Sequence, residues 1–219
     1  MIRVVVVDDE ELVRSGFRLI LQAAGDIQVV ATASGEQAVR EVELQRPDVV
    51  LLDIRMSDVD GLTVLRRLQC LRPAPVVAML TTFDSDEYIA TALRSGAAGF
   101  ILKDTAPVQL AQLVRTLAAG GVVLSAKVTR TVVDGYLGAR TDAAAVARAG
   151  QLSEREHAVL VLIAEGLSNN EIGARVHLSA GTVKDHVSAI LTKLRVGSRV
   201  QAALVAERAG LLAEPGPRP

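Results

Sequence analysis

Five short apolar runs, at residues 4–7, 29–31, 49–52, 76–80 and 100–102, recur through the first half of the chain. Between them, apolar residues fall at helical spacing: Leu12, Val13, Phe17 and Ile20; Leu62, Leu65 and Leu68; Leu110, Leu113, Val114 and Leu117. A strand that is apolar at every position has no solvent face, so both its sides must be covered. Such strands alternating with helices form a parallel sheet with helices packed on both faces. The first half is therefore expected to be α/β, a doubly wound (βα)5 unit.

The strand pattern ends at Gly120 and Gly121. A short helix fits residues 126–137, and residues 138–150, rich in Ala, Gly and Arg with little apolar periodicity, read as linker. From Ser153 onward every segment is helical in pattern, with Ser153, Ser168, Ser179 and Ser198 each at an N-cap position. The expected organisation is an α/β domain at 1–120, a linker at 121–150, an all-α domain of four short helices at 151–212, and a flexible tail at 213–219.

Half of the residues are hydrophobic and 22% charged, which excludes a disordered chain. The first apolar run is too short for a signal peptide and leads straight into Asp8, Asp9, Glu10 and Glu11. No stretch approaches the roughly 20 apolar residues of a membrane span, so a soluble, cytoplasmic protein is expected. The single Cys70 lies in a helix-patterned stretch and has no disulfide partner in the chain. Residues 1–120 hold 12 Lys and Arg against 16 Asp and Glu, and the remainder 12 against 9. A mildly basic C-terminal half permits nucleic-acid binding, while aromatic residues at 2% of the chain leave no stacking platform for RNA or single strands.

Ligands of an open parallel sheet bind beyond the carboxyl ends of its strands. The first run ends in Asp8 and Asp9, the third in Asp53, the fourth in Thr81 and Thr82, and the fifth in Lys103. If the first and third strands are neighbours, three carboxylates converge beside a hydroxyl and an ammonium group. Such a cluster calls for a hard divalent cation with oxygen ligands, and Mg²⁺ leaves positions open for phosphate oxygens. Asp53 is then a nucleophile toward phosphorus, with the metal, Lys103 and Thr81 neutralising phosphoryl charge. Any one acid taken alone reads as a helix cap or a solvated loop residue, as Glu10 and Glu11 do; the coincidence of five positions argues for a site.

Val6-Val7-Asp8-Asp9, Leu51-Leu52-Asp53-Ile54-Arg55-Met56 followed by Asp60-Gly61, Leu80-Thr81, and Gly99-Phe100-Ile101-Leu102-Lys103-Asp104 together resemble the receiver domain of two-component response regulators, over about residues 1–120. The resemblance implies a flavodoxin-like fold with strand order 2-1-3-4-5 and Asp53 as phosphoacceptor from a histidine kinase. It also implies Mg²⁺ held by Asp8, Asp9, Asp53 and the backbone carbonyl of Arg55, and a switch through Thr81 and Phe100. The chain departs from the family at Ser57, commonly Pro, and at Phe100, commonly Tyr.

Residues 168–193 have the spacing of a helix-turn-helix. Ile172, Val176 and Leu178 face inward, Ser179 caps a second helix, and Val183, Val187, Ile190 and Leu191 form its buried stripe. Its polar face presents Lys184, Asp185, Ser188 and His186 to base edges, with Lys193 placed for a backbone phosphate. The segments 152–160, 165–169 and 182–187 closely resemble the LuxR-type helix-turn-helix of NarL/FixJ regulators. That resemblance implies Thr182, Lys184 and Ser188 as DNA contacts and residues 200–209 as a dimerisation helix. Gly173 stands where Ala is common, at a cost of about 1 kcal/mol in helix propensity.

The sequence thus predicts a phosphorylation-controlled transcription factor that binds paired half-sites in double-stranded DNA as a homodimer. A Mg²⁺-dependent phosphohydrolase is the competing enzymatic reading; such enzymes place a second Asp two residues after the nucleophile, where this chain has Arg55. Slow self-dephosphorylation is expected, but no external substrate. A third reading keeps the fold and replaces phosphorylation by ligand or partner binding.

Overall fold

The computed structural model describes residues 1–82, 86–124 and 142–212. The chain divides into two compact units, Met1–Val133 and Asp134–Pro219. In the first, the described residues form five strands that alternate with five helices: β1 (Ile2–Val7), α1 (Glu11–Gln22), β2 (Ile27–Ala33), α2 (Ala38–Gln45), β3 (Val49–Asp53), α3 (Gly61–Gln69), β4 (Val76–Thr81), α4 (Asp86–Arg94), β5 (Gly99–Leu102) and α5 (Pro107–Ala118). All strands pair parallel, in the order β2-β1-β3-β4-β5.

Alternation along each strand sends one set of side chains to each face. Val4, Val6, Val49, Leu51 and Leu80 join Phe17, Leu21, Leu110, Val114 and Leu117 of α1 and α5 in one core. Their neighbours Val5, Val7, Val50, Leu52 and Met79 are just as fully buried, as strands covered on both sides require. Leu12 departs from the expected stripe of α1: it is 84% exposed, and Phe17 and Leu21 carry the burial instead.

Register fixes the business edge. Val7 pairs with Leu52, Asp53 with Leu80, and Thr81 with Leu102, so Asp8, Asp53, Thr81 and Lys103 all fall at the carboxyl ends of adjacent strands. Past β5 the chain returns to the sheet edge, where the Phe100 N–H donates to the Val123 carbonyl at 2.8 Å.

The second unit holds α6 (Ala143–Ala149), α7 (Glu154–Ala164), α8 (Asn169–Val176), α9 (Ala180–Leu194) and α10 (Arg199–Arg208). Ser153, Ser168, Ser179 and Ser198 are the N-caps of the last four, each accepting from a first-turn N–H. From Ser153 onward the unit has the four helices expected, and α6 precedes them at residues 143–149, within the segment expected as linker. Its sequence has no bulky apolar stripe, yet Asp142 caps it and Ala145 and Ala149 are buried, Ala145 within the core of the unit. The helix expected at 126–137 and the tail at 213–219 lie outside the described residues.

Between β3 and α3 the chain closes on itself. The Gly61 N–H donates to the Ile54 carbonyl at 3.0 Å, and a Cβ at Gly61 would fall 2.1 Å from the Asp53 carbonyl oxygen. No side chain fits there without moving the strand end. Gly61→Ala is expected to lower stability by about 1–3 kcal/mol, the usual cost of forcing extra volume into a packed site, read as a fall in the urea midpoint of the first unit.

Candidate functional site

At the carboxyl edge of the sheet, Lys103 Nζ lies 2.8 Å from Asp8 Oδ2 and 3.1 Å from Asp53 Oδ2. Both carboxylates are almost wholly buried. Asp8 Oδ1 accepts from the Glu10 N–H at 2.9 Å, so Asp8 also shapes the turn into α1, while Glu10 occupies the N-cap position without a side-chain cap. Asp8 Oδ2 takes no aligned hydrogen bond; its pairing with Lys103 is electrostatic. Asp9 Oδ2 accepts from the Ser57 N–H at 2.8 Å, which ties the end of β1 to the β3–α3 loop.

The electrostatics follow from these contacts. Burial pushes the Asp53 carboxyl above its ordinary value, against the pull of Lys103 and with the help of Asp8. Burial alone would lower the Lys103 ammonium, but the close carboxylate oxygens and charges of Asp8 and Asp53 outweigh it and hold it above the usual lysine range. The Ser57 backbone and side chain hold Asp9 below the carboxylate norm. Thr81 and Phe100 are both buried, at the end of β4 and within β5. The Arg55 guanidinium stacks over the Tyr88 ring of α4, 5.6 Å from its centroid.

Asp8, Asp9 and Glu10 offer carboxylate oxygens within 4.8 Å of one another. A buried carboxylate oxygen without an aligned donor, beside two further acids, is the donor set a hard divalent cation takes. The residues present therefore fit such an ion, with Glu10 an exposed member of the cluster that the sequence reading assigned to solvent.

In the second unit, α8 and α9 form the helix-turn-helix. Helix α8 ends at His177 in the left-handed conformation, and the Leu178 N–H returns to the Gly173 carbonyl at 2.9 Å. A Cβ at Gly173 would lie 2.5 Å from the Leu178 carbonyl oxygen. Glycine here lets the turn close tightly, a gain set against its low helix propensity. Ile172, Val183 and Ile190 are buried, while Val176, Leu178, Val187 and Leu191 pack on that core partly covered.

Thr182, Lys184, Asp185 and Ser188 are all exposed on α9, and His186 is half-buried. The Thr182 hydroxyl shares a hydrogen bond with Ser179 at 2.9 Å, and the Ser188 hydroxyl donates to the Lys184 carbonyl at 3.0 Å. Lys193 is engaged within the domain: its ammonium lies 2.7 Å from Glu156 Oε2 on α7.

Two family profiles match the chain: "Response regulator receiver domain" over residues 4–115 and "Bacterial regulatory proteins, luxR family" over residues 150–206. The chain is a response regulator of the NarL/LuxR family. Among its relatives, transcriptional regulatory protein LnrK of Bacillus subtilis is 36% identical over 217 residues, covering 96% of this chain and 99% of that protein. LiaR of the same organism is 35% identical, covering 95% and 98%. The crystal structure of response regulator ChrA from a heme-sensing two-component system matches with 34% identity and a TM-score of 0.51, over 96% of this chain and 98% of that one.

Several residues that shape this response regulator escaped the sequence reading. Arg199 of α10 is buried and donates to Asn169 Oδ1 at 2.9 Å and to the Leu167 carbonyl, bracing the entry to the helix-turn-helix. Burial holds its guanidinium down to about 10. Glu156 accepts from the Ser153 N–H at 2.8 Å, completing a capping box, and pairs with Lys193, 37 positions away. The Ser-x-x-Glu spacing signalled the box; nothing local signalled the lysine.

Lys193 and the Ser153 N–H together depress the Glu156 carboxyl from 4.5 to about 2. A depressed carboxylate stabilises the fold above its unfolded pKa and loses that contribution as pH falls through its folded value. Acid titration is therefore expected to weaken the helix-turn-helix unit between about pH 4.5 and 2. Glu156→Gln should flatten this dependence, as read by urea unfolding across that range.

Proposed function

We propose that this response regulator is controlled by phosphorylation of Asp53, and that the phosphoryl state sets its dimerisation and its binding to double-stranded DNA with paired half-sites. The observation that carries the reading is the buried Asp53 carboxylate, with Lys103 shared between it and Asp8, in a chain that also bears a LuxR-type DNA-binding domain. An Asp53 oxygen attacks the phosphorus of a phosphohistidine on the partner kinase. The P–O bond forms as the P–N bond breaks, and the imidazole nitrogen leaves with the electron pair. Lys103 stands beside Asp53 to neutralise the phosphoryl oxygens as charge shifts toward the acceptor.

Asp8, Asp9, Asp53 and the backbone carbonyl of Arg55 are the groups that would hold Mg²⁺, with Glu10 near enough to tune the site. When bound, the ion supplies charge neutralisation for the phosphoryl group. The Thr81 hydroxyl serves as the switch group, and Phe100, lacking a hydroxyl, follows it by packing alone. Slow self-dephosphorylation of Asp53 is the expected chemistry, with no external substrate, and the protein acts in the cytoplasm. Among the described residues no helix is long and apolar enough to cross a membrane.

On DNA, α9 reads the major groove through Thr182, Lys184, Asp185 and Ser188. Asp185 discriminates by accepting from cytosine N4 or rejecting other bases. An ammonium has three donors, so Lys193 can hold Glu156 and still offer a hydrogen bond to a backbone phosphate.

Intact mass after incubation with a small phosphodonor tests the first half of this reading. One phosphoryl adduct is expected, dependent on Mg²⁺ and absent in Asp53→Asn; no adduct, even with a kinase supplied, would move control to ligand or partner binding. For the second half, Lys184→Ala is expected to weaken binding to a target operator by about 1–3 kcal/mol if Lys184 meets a base edge. A uniform loss across sequences, with a shallower salt dependence, would assign it to a phosphate.

A further inference from the structure

Position 57 commonly holds proline in receivers, and proline has no N–H to give. In this chain Ser57 uses that N–H: it donates to Asp9 Oδ2 at 2.8 Å across 48 positions of sequence. The same loop is fastened on its far side by Asp58, whose carboxylate accepts from the Glu36 N–H at 3.1 Å and from the Val59 N–H at 2.8 Å. Where it enters α3, the Gly61 N–H returns to Ile54 at 3.0 Å. The segment between Asp53 and α3 is thus pinned by hydrogen bonds at successive positions, where the family commonly relies on the fixed φ of a proline.

The bond to Asp9 differs from the others in what it holds. Asp9 is only half-buried, and a carboxylate in that position can turn about both of its side-chain torsions. An N–H fixed by the loop selects one orientation and occupies one oxygen. It also makes the Asp9 carboxylate and the loop that follows Asp53 a single mechanical unit.

We propose that the main-chain N–H of Ser57 is a positioning group for the cation site, orienting the Asp9 carboxylate and coupling it to the phosphoacceptor loop. The proposal rests on the cation site described above, but not on phosphoryl transfer. Partners that orient a metal ligand are worth tenfold or more in metal affinity. The Ser57 hydroxyl also bears on Asp9, but the backbone amide is the group that proline removes and alanine keeps, so the larger loss should follow proline substitution.

A Mg²⁺ titration of the full chain, followed by amide NMR, makes the test. Ser57→Ala removes the hydroxyl and keeps the N–H, so Ser57→Pro should bind Mg²⁺ about tenfold more weakly than Ser57→Ala, the difference measuring the N–H alone. Equal affinity in a folded Ser57→Pro overturns the proposal and leaves phosphorylation of Asp53 intact; a wild type that binds no Mg²⁺ removes the cation site itself. Should the proline variant fail to fold, hydrogen exchange decides: the Ser57 N–H should exchange slowly in wild type and several-fold faster in Asp9→Ala. Unchanged exchange overturns the proposal.

Discussion

Two carboxylates buried side by side repel each other and lose their hydration, a combination that a fold tolerates only with a cation between them. Lys103 is that cation, within 3.1 Å of both Asp8 and Asp53. The arrangement depends on the parallel sheet. Asp8 ends β1, Asp53 ends β3 and Lys103 follows β5, and only the order β1-β3-β4-β5 with this register brings the three together. The balance is deliberately incomplete in a chemical sense: Asp53 stays above its ordinary pKa despite the lysine. A site that has one positive charge for its buried acids, and Asp9 and Glu10 at its mouth, has an affinity for further positive charge built in.

What the sequence disclosed and what it withheld divide along physical lines. The strands were legible because burial on both faces leaves an unbroken apolar run, and the edge was legible because parallel strands all end on the same side. The four serine caps were legible because capping is a local contact, made within three residues. Helix α6 was not, because alanines carry little apolar signal and its burial depends on a core assembled from distant helices. The Glu156–Lys193 pair and the Arg199 brace were hidden for the same reason: each joins residues 30 or more positions apart.

Ser57 and Gly173 show a subtler limit. Both were visible as departures from the family, and side-chain reasoning gave Gly173 only a loss of helix propensity and Ser57 no role. The structure places a backbone contact at each. Replacing proline restores an N–H that reaches Asp9, and omitting a Cβ lets the turn between α8 and α9 close on Leu178. Main-chain groups are identical at nearly every position, so their use becomes visible only once the fold has brought them to a partner.

The charge of the second unit bears on how control can work. Over residues 142–212 it has eight Lys and Arg against seven Asp and Glu, and of those cations Arg199 is buried while Lys193 is shared with Glu156. Phosphate neutralisation supplies most non-specific DNA affinity, so a single copy of this domain has little of it. Two copies joined on paired half-sites, as proposed, would bind as one ligand, and the second contact would then draw on a high effective concentration instead of on charge. If the protein binds paired half-sites as proposed, a weakly basic reading domain would make DNA occupancy depend steeply on dimerisation. Under the proposed control by phosphorylation, the modest charge of the C-terminal unit would give a phosphoryl group on Asp53 its leverage, since a strongly basic domain would stay on DNA in either state.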